Sequence, residues 1–128
     1  MLRTIFLAIL ILNISCITNS YAKWVKITET EDFQTQLYVD YDTLGTKNGK
    51  KYIWTLIDSK TPNDKGAFSR KAHMIFDCSV GQSKILSLYL YSGNMGLGKI
   101  ITKHNNVKME WRSVLPGSIQ YKILDVIC

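Results

Sequence analysis

The sequence predicts an α+β domain, an antiparallel β-sheet that carries one C-terminal helix tied to it by a disulfide. Three observations predict it. Most of the chain after residue 22 alternates apolar and polar side chains at period two, the mark of strands with one buried face. Turn sequences, above all Asn48-Gly49, separate these segments at hairpin spacing. Only the last stretch changes to helical period, and it ends at a cysteine.

Residues 1–22 are set apart from the fold. Arg3 gives a positive start, residues 5–12 are an unbroken apolar run, and Ser20-Tyr21-Ala22 is the small-x-small pattern of a signal-peptidase site. The run is shorter than the roughly 20 residues of a membrane-spanning helix, so a cleaved leader is expected, not an anchor. A lipoprotein signal ending at Cys16 is the alternative. Against it, Asn13 is polar where a branched apolar residue is usual. Residues 23–128 then form one domain, enough chain for a single core.

Export governs the reading of charge. The 16 basic and 10 acidic residues give +6, and loss of Arg3 with the leader leaves +5. The basic residues do not form a continuous patch, and the densest group, Lys47, Lys50 and Lys51, brackets the Asn48-Gly49 turn as a solvated hairpin tip. Nucleic acid is therefore not an expected partner, whereas an anionic surface or an acidic protein is compatible with the charge.

Taken in order, residues 24–28 form a first strand and residues 37–41 a second, which runs into a turn at residues 42–45. Residues 51–58 follow, with Tyr52, Trp54 and Leu56 on one face and Ile53, Thr55 and Ile57 on the other. A strand apolar on both faces belongs inside a sheet. Residues 61–66 are a surface loop. Next come Ala72, Met74, Phe76 and Cys78 on one face of a strand, the turn at residues 79–82, and Leu86, Leu88 and Leu90 on one face of its partner. Residues 93–98, with three glycines, lack the Gly-Lys-Ser/Thr of a phosphate cradle and read as a demanding turn. Residues 99–104 and 110–114 are short extended pieces. Ser118 is an N-cap candidate for a helix whose apolar stripe is Ile119, Ile123, Val126 and Ile127.

Removal of the leader leaves two cysteines, Cys78 and Cys128, and an even number in an oxidising compartment favours a disulfide. A loop of about 50 residues corresponds to roughly 4 kcal/mol of restraint on the unfolded chain. Two distant thiols without a His or carboxylate at ligand spacing do not make a metal site, and no cofactor motif is present.

Nothing pairs a nucleophile with a base. His73 stands at an outward strand position, His104 lies in a loop, and Asp40 with Asp42 suits capping of turn amides. No enzymatic activity is expected. The aromatic surplus is more informative: Trp24, Tyr38, Tyr52, Trp54, Tyr89 and Tyr91 either fill the single core or line the sheet face that the helix leaves open. Tyr89 and Tyr91 are the first candidates for a binding or homodimer face, being opposite the leucine row.

In order along the chain stand Trp24, Tyr38-Val39-Asp40, Trp54, Phe76-Asp77-Cys78, Leu86-Ser87, Tyr91-Ser92-Gly93, Met95-Gly96, Gly98, Trp111, Pro116-Gly117-Ser118 and Cys128. This series resembles the bacterial surface-adhesin protein E family over nearly all of residues 23–128. The resemblance implies an antiparallel sheet of about six strands with one C-terminal helix fixed to it. It also implies an outer-membrane adhesin that binds host matrix or plasma proteins, while no binding residue carries over. The expectation is an exported protein of the periplasm or outer-membrane surface, peripheral to the membrane, acting on a protein partner. A periplasmic accessory or inhibitor protein that binds an envelope partner is the alternative.

Overall fold

In the computed structural model, which describes residues 23–106 and 108–128, each strand of the main sheet pairs with its neighbour in sequence. The leader reading of residues 1–22 and the lipidation alternative at Cys16 lie outside the described residues. The strands β1 (Val25–Glu29), β2 (Thr35–Lys47), β3 (Lys50–Ser59), β4 (Ser69–Asp77), β5 (Gln82–Tyr91) and β6 (Ile100–His104) form an antiparallel meander in that order. A short strand β7 (Arg112–Ser113) pairs with Gln82 and Ser83, while β6 pairs with the other end of β5. One helix, α1 (Tyr121–Ile127), completes the fold. The predicted α+β class and sheet are thus found.

The β2–β3 hairpin closes at Asn48 and Gly49, with φ of 51° and 74°, and Lys47 faces Lys50. Positive φ at both central positions is what a type I′ turn requires. The turn predicted at residues 42–45 is instead part of β2. Pairing jumps from Asp40↔Trp54 to Gly45↔Tyr52, so residues 41–44 bulge opposite Ile53. Side chains satisfy the displaced backbone: Asp40 Oδ1 accepts from the Asp42 amide at 3.1 Å, and Thr43 Oγ1 donates to the Asp40 carbonyl at 2.7 Å. Thr43 Oγ1 also accepts from the Trp54 amide at 2.9 Å. These three bonds pair groups that the bulge displaces from the ladder, which helps the sheet accommodate the extra residues.

The core lies between one sheet face and α1. Leu37, Val39, Ile53, Ala72, Met74 and Phe76 meet Ile123, Leu124 and Ile127, with Ile85, Leu88, Val114 and Ile119 at its margin. Full burial of a side chain such as Phe76 stabilises by about 1.5–3 kcal/mol. A bulge in β5 sets Ile85, not Leu86, opposite Met74. The core row is therefore Ile85, Leu88 and Leu90, and the predicted row is corrected at its first member.

The helix is shorter than its pattern implied. Ser118 does not cap it: its hydroxyl donates to the Leu115 carbonyl at 2.7 Å, and single turns lead into Tyr121. Leu124 is buried and Val126 is 45% exposed, so the stripe is Ile123, Leu124 and Ile127. At about 1.5 Å per residue this helix is too short to persist alone. Burial and the Cys78–Cys128 disulfide, with Cα atoms 5.6 Å apart, hold it on the sheet.

The loop after β5 folds back across the sheet. Ser69 Oγ accepts from the Gly96 amide at 2.8 Å, and Asp58 Oδ1 accepts from the Met95 amide at 2.7 Å. Met95 and Gly96 have φ of 56° and 69°, and a Cβ on Gly96 would strike the Lys71 side chain. The glycine loop is a structural turn, as its sequence predicts.

Candidate functional site: an aromatic and lysine face

Directly paired residues of antiparallel strands point to the same side. The register therefore assigns a second face, opposite the helix. Trp54 on β3 is opposite His73 on β4, and Lys71 on β4 lies between Leu56 on β3 and Tyr89 on β5. Tyr89 is in turn opposite Lys103 on β6. Tyr52 and Tyr38 occupy the same side through their pairing with Ile75 and Leu56.

These rings interact across strands. Trp54 stacks on His73 at 4.9 Å and 10°, and on Tyr89 at 5.8 Å and 12°. Tyr52 meets the other side of His73 at 6.1 Å and 44°. Four lysines lie over rings: Lys71 is 5.0 Å from the Tyr91 centroid and 5.8 Å from Trp24, Lys103 is 5.7 Å from Tyr89, and Lys84 and Lys50 are 5.1 and 6.0 Å from Trp111. Each such contact at a partly exposed site contributes on the order of 0.5–1 kcal/mol.

All the rings on this face are half-buried, while Leu56, Ile75 and Asp40 beneath them are buried. The aromatic surplus thus builds a second, shallower apolar layer in place of the helix-covered core. A cleft of about 340 Å³ opens in it, walled by Trp24, Asp40, Trp54, Lys71, Tyr89 and Tyr91. Burial pushes the His73 imidazolium pKa down, and burial together with the nearby Tyr89 pushes the Tyr91 phenol up. The Tyr89 hydroxyl donates to Asn105 Oδ1. Chemically, the face offers flat apolar rings edged with ammonium groups.

Tyr89 and Tyr91, predicted as candidates, do lie together here, and Tyr38, Tyr52, Trp54 and Trp24 join them. Sequence reasoning missed Lys71, Lys103, His73 and Trp111 as members. Alternation placed His73 outward, but its stacking depends on the β3–β4 register. Trp111 arrives through a segment with no periodic pattern. Lys50, read as part of a solvated hairpin tip, also lies 4.0 Å from Asp77. His104 ends β6, exposed, and not in a loop. Cys78 and Cys128 are spent in the disulfide. Among the described residues there is no cluster of three or more His, Cys, Asp or Glu arranged to hold a metal, and no helix is long and apolar enough to cross a membrane.

Comparison with known proteins points one way. The structure of crystal form II of Haemophilus influenzae protein E superposes with a TM-score of 0.62 at 16% identity, covering 87% of this chain and 91% of that one. A further structure of Haemophilus influenzae protein E gives 0.60 at 14% identity, with 87% of each chain covered. Protein E from non-typeable Haemophilus influenzae gives 0.58 at 14% identity, covering 87% of this chain and 78% of that one. At such identities these likenesses establish a common fold. No curated protein sequence matches the chain. The family model described as surface-adhesin protein E, however, matches residues 24–128, and the chain belongs to that family.

Proposed function

We propose that this is an exported, non-catalytic envelope protein that binds a protein partner through its aromatic and lysine face, as an adhesin for a host matrix or plasma protein. One observation carries the reading: the chain has three tryptophans, and Trp24, Trp54 and Trp111 all contribute half-buried rings to the side of the sheet opposite the helix. Tryptophan and tyrosine supply large, stiff contact area with one polar end, and they dominate the energetics of protein interfaces. Family membership supports the adhesin form of the reading. The non-catalytic part of the reading is supported by membership of an adhesin family and by the stacking of His73 against Trp54 and Tyr52.

The face is tested by changing Tyr89 and Tyr91 to Ser together. Both are half-buried, so the double variant still folds, with a melting temperature lowered by about 5–15 °C for the ring contacts it loses, but loses partner binding or self-association by at least about tenfold. Unfolding of the double variant would return the two tyrosines to a structural role. Site of action is tested by external protease on intact cells beside a periplasmic control. Cleavage supports the adhesin. Protection until the outer membrane is opened turns the reading to a periplasmic accessory or inhibitor protein whose partner is in the envelope.

A further inference from the structure

At the margin of the sheet, β6 and the loop before it combine apolar exposure with unopposed positive charge. Leu97, Ile100 and Ile101 are 64%, 46% and 38% exposed, three large apolar side chains within five residues. Phe33, Val80 and Leu115 are also more than half exposed, but they stand singly in separate connections, which is ordinary for a surface. β6 closes the sheet on this side, and among the described residues no strand pairs with its outer edge. The backbone that carries Leu97 is fixed: its amide donates to the Asn94 carbonyl at 3.1 Å, and its carbonyl accepts from the Gly93 amide at 3.0 Å. Ser92 Oγ accepts from the Lys99 amide at 2.8 Å, and a Cβ on Gly98, whose φ is 80°, would strike that hydroxyl. An apolar group held in water on so constrained a loop gains by being covered.

Charge defines what covers it. Residues 78–109 contain Lys84, Lys99, Lys103 and Lys108 and no Asp or Glu. The carboxylates that bound this stretch, Asp77 and Glu110, belong to the far end of β5, where Asp77 is opposite Gln82 and Arg112 is opposite Ser83. Asp58 does touch the loop, and it accepts from the Asn94 side chain at 3.1 Å and the Met95 amide at 2.7 Å. Glu29, Glu31 and Asp32 gather at the opposite edge of the sheet, where β1 ends. Lys99 and Lys103 thus flank Ile100 and Ile101, and neither is in an ion pair among the described residues. A second copy laid edge to edge would bring the same cations together, so the charge favours an anionic occupant. Apolar side chains bracketed by lysines match the boundary of a bilayer, where the apolar groups enter shallowly and the ammonium groups stay at the phosphates. The unpaired edge amides and carbonyls of β6 limit the docking to headgroup depth.

We propose that the edge formed by Leu97, Lys99, Ile100, Ile101 and Lys103 docks on the headgroup layer of an anionic lipid bilayer. The proposal does not depend on a protein partner for the aromatic face. Residues 23–128, which hold the whole described fold, are sedimented with vesicles of equal parts phosphatidylcholine and phosphatidylglycerol. Vesicles of phosphatidylcholine alone and soluble heparin are the comparisons. Binding to the anionic vesicles should be at least about tenfold tighter than to the neutral ones and should weaken with added salt. Leu97→Ser and Lys99→Glu should each weaken it at least about fivefold without altering the melting temperature, since both side chains are exposed. Phe33→Ser, which removes an exposed ring at the opposite edge, should leave vesicle binding unchanged.

Failure to sediment with the anionic vesicles, or equal binding to the neutral ones, overturns the proposal. Heparin binding that Lys99→Glu abolishes, with no loss of vesicle binding in Leu97→Ser, gives the edge to an acidic macromolecule in place of a lipid surface. A lipid-free dimer that Leu97→Ser dissociates gives it to a second copy. Unchanged vesicle binding in both edge variants, or an equal loss in Phe33→Ser, puts the contact elsewhere on the molecule and rejects the site.

Discussion

His73 makes the aromatic face sensitive to acid. Burial between Trp54 and Tyr52 disfavours its charged form, so its pKa in the folded protein lies below the ordinary 6.5. Below pH 6.5 the unfolded chain binds more protons, and stability must fall as pH drops from there toward the folded value. The melting temperature should therefore decline between pH 7 and pH 5, and the decline should be shallower in His73→Phe, which keeps a ring in the stack. Parallel profiles in the two proteins would remove His73 as the titrating group. At this scale the sequence was partly legible: alternation sufficed for Tyr89, Tyr91 and the outward direction of His73. The lysines over rings were not legible, because Lys71 meets Tyr91 and Trp24 only through long-range pairing, and a lysine in an alternating strand is ordinarily a solvated one.

The elements were more legible than the irregularities between them. Period-two alternation marked the strands of the meander, and Asn48-Gly49 marked its tightest hairpin. Bulges defeated the same logic, since an inserted residue reverses which face the following side chains take. That is why Ile85 replaced Leu86 in the core row and why residues 42–45 read as a turn. The helix suffered from brevity: in seven residues Leu124 and Val126 are both apolar, and only packing decides between them. The disulfide is the strongest element-scale prediction. Cys128→Ser should lower unfolding free energy by about 2–4 kcal/mol, read by denaturant titration under oxidising conditions. An unchanged midpoint would mean that Ile123, Leu124 and Ile127 hold the helix without help.

For the whole molecule, the sheet has two apolar sides but one helix. The helix side closes a core, and the other side is finished with rings and ammonium groups that remain half in solvent. A domain built this way presents aromatic rings edged with lysines on the sheet face that the helix leaves open. The disulfide also determines how such a domain would respond to pulling. Cys78 and Cys128 are 50 residues apart, so tension between residues 23 and 128 can draw out the first four strands but cannot lengthen the chain enclosed by the bond. Reduction should add roughly 180 Å to the fully extended length in a single-molecule stretching experiment. An oxidised chain would thus yield only half its slack under load, keeping β5, its aromatic residues and the helix inside a covalent safety loop while the rest of the domain unravels.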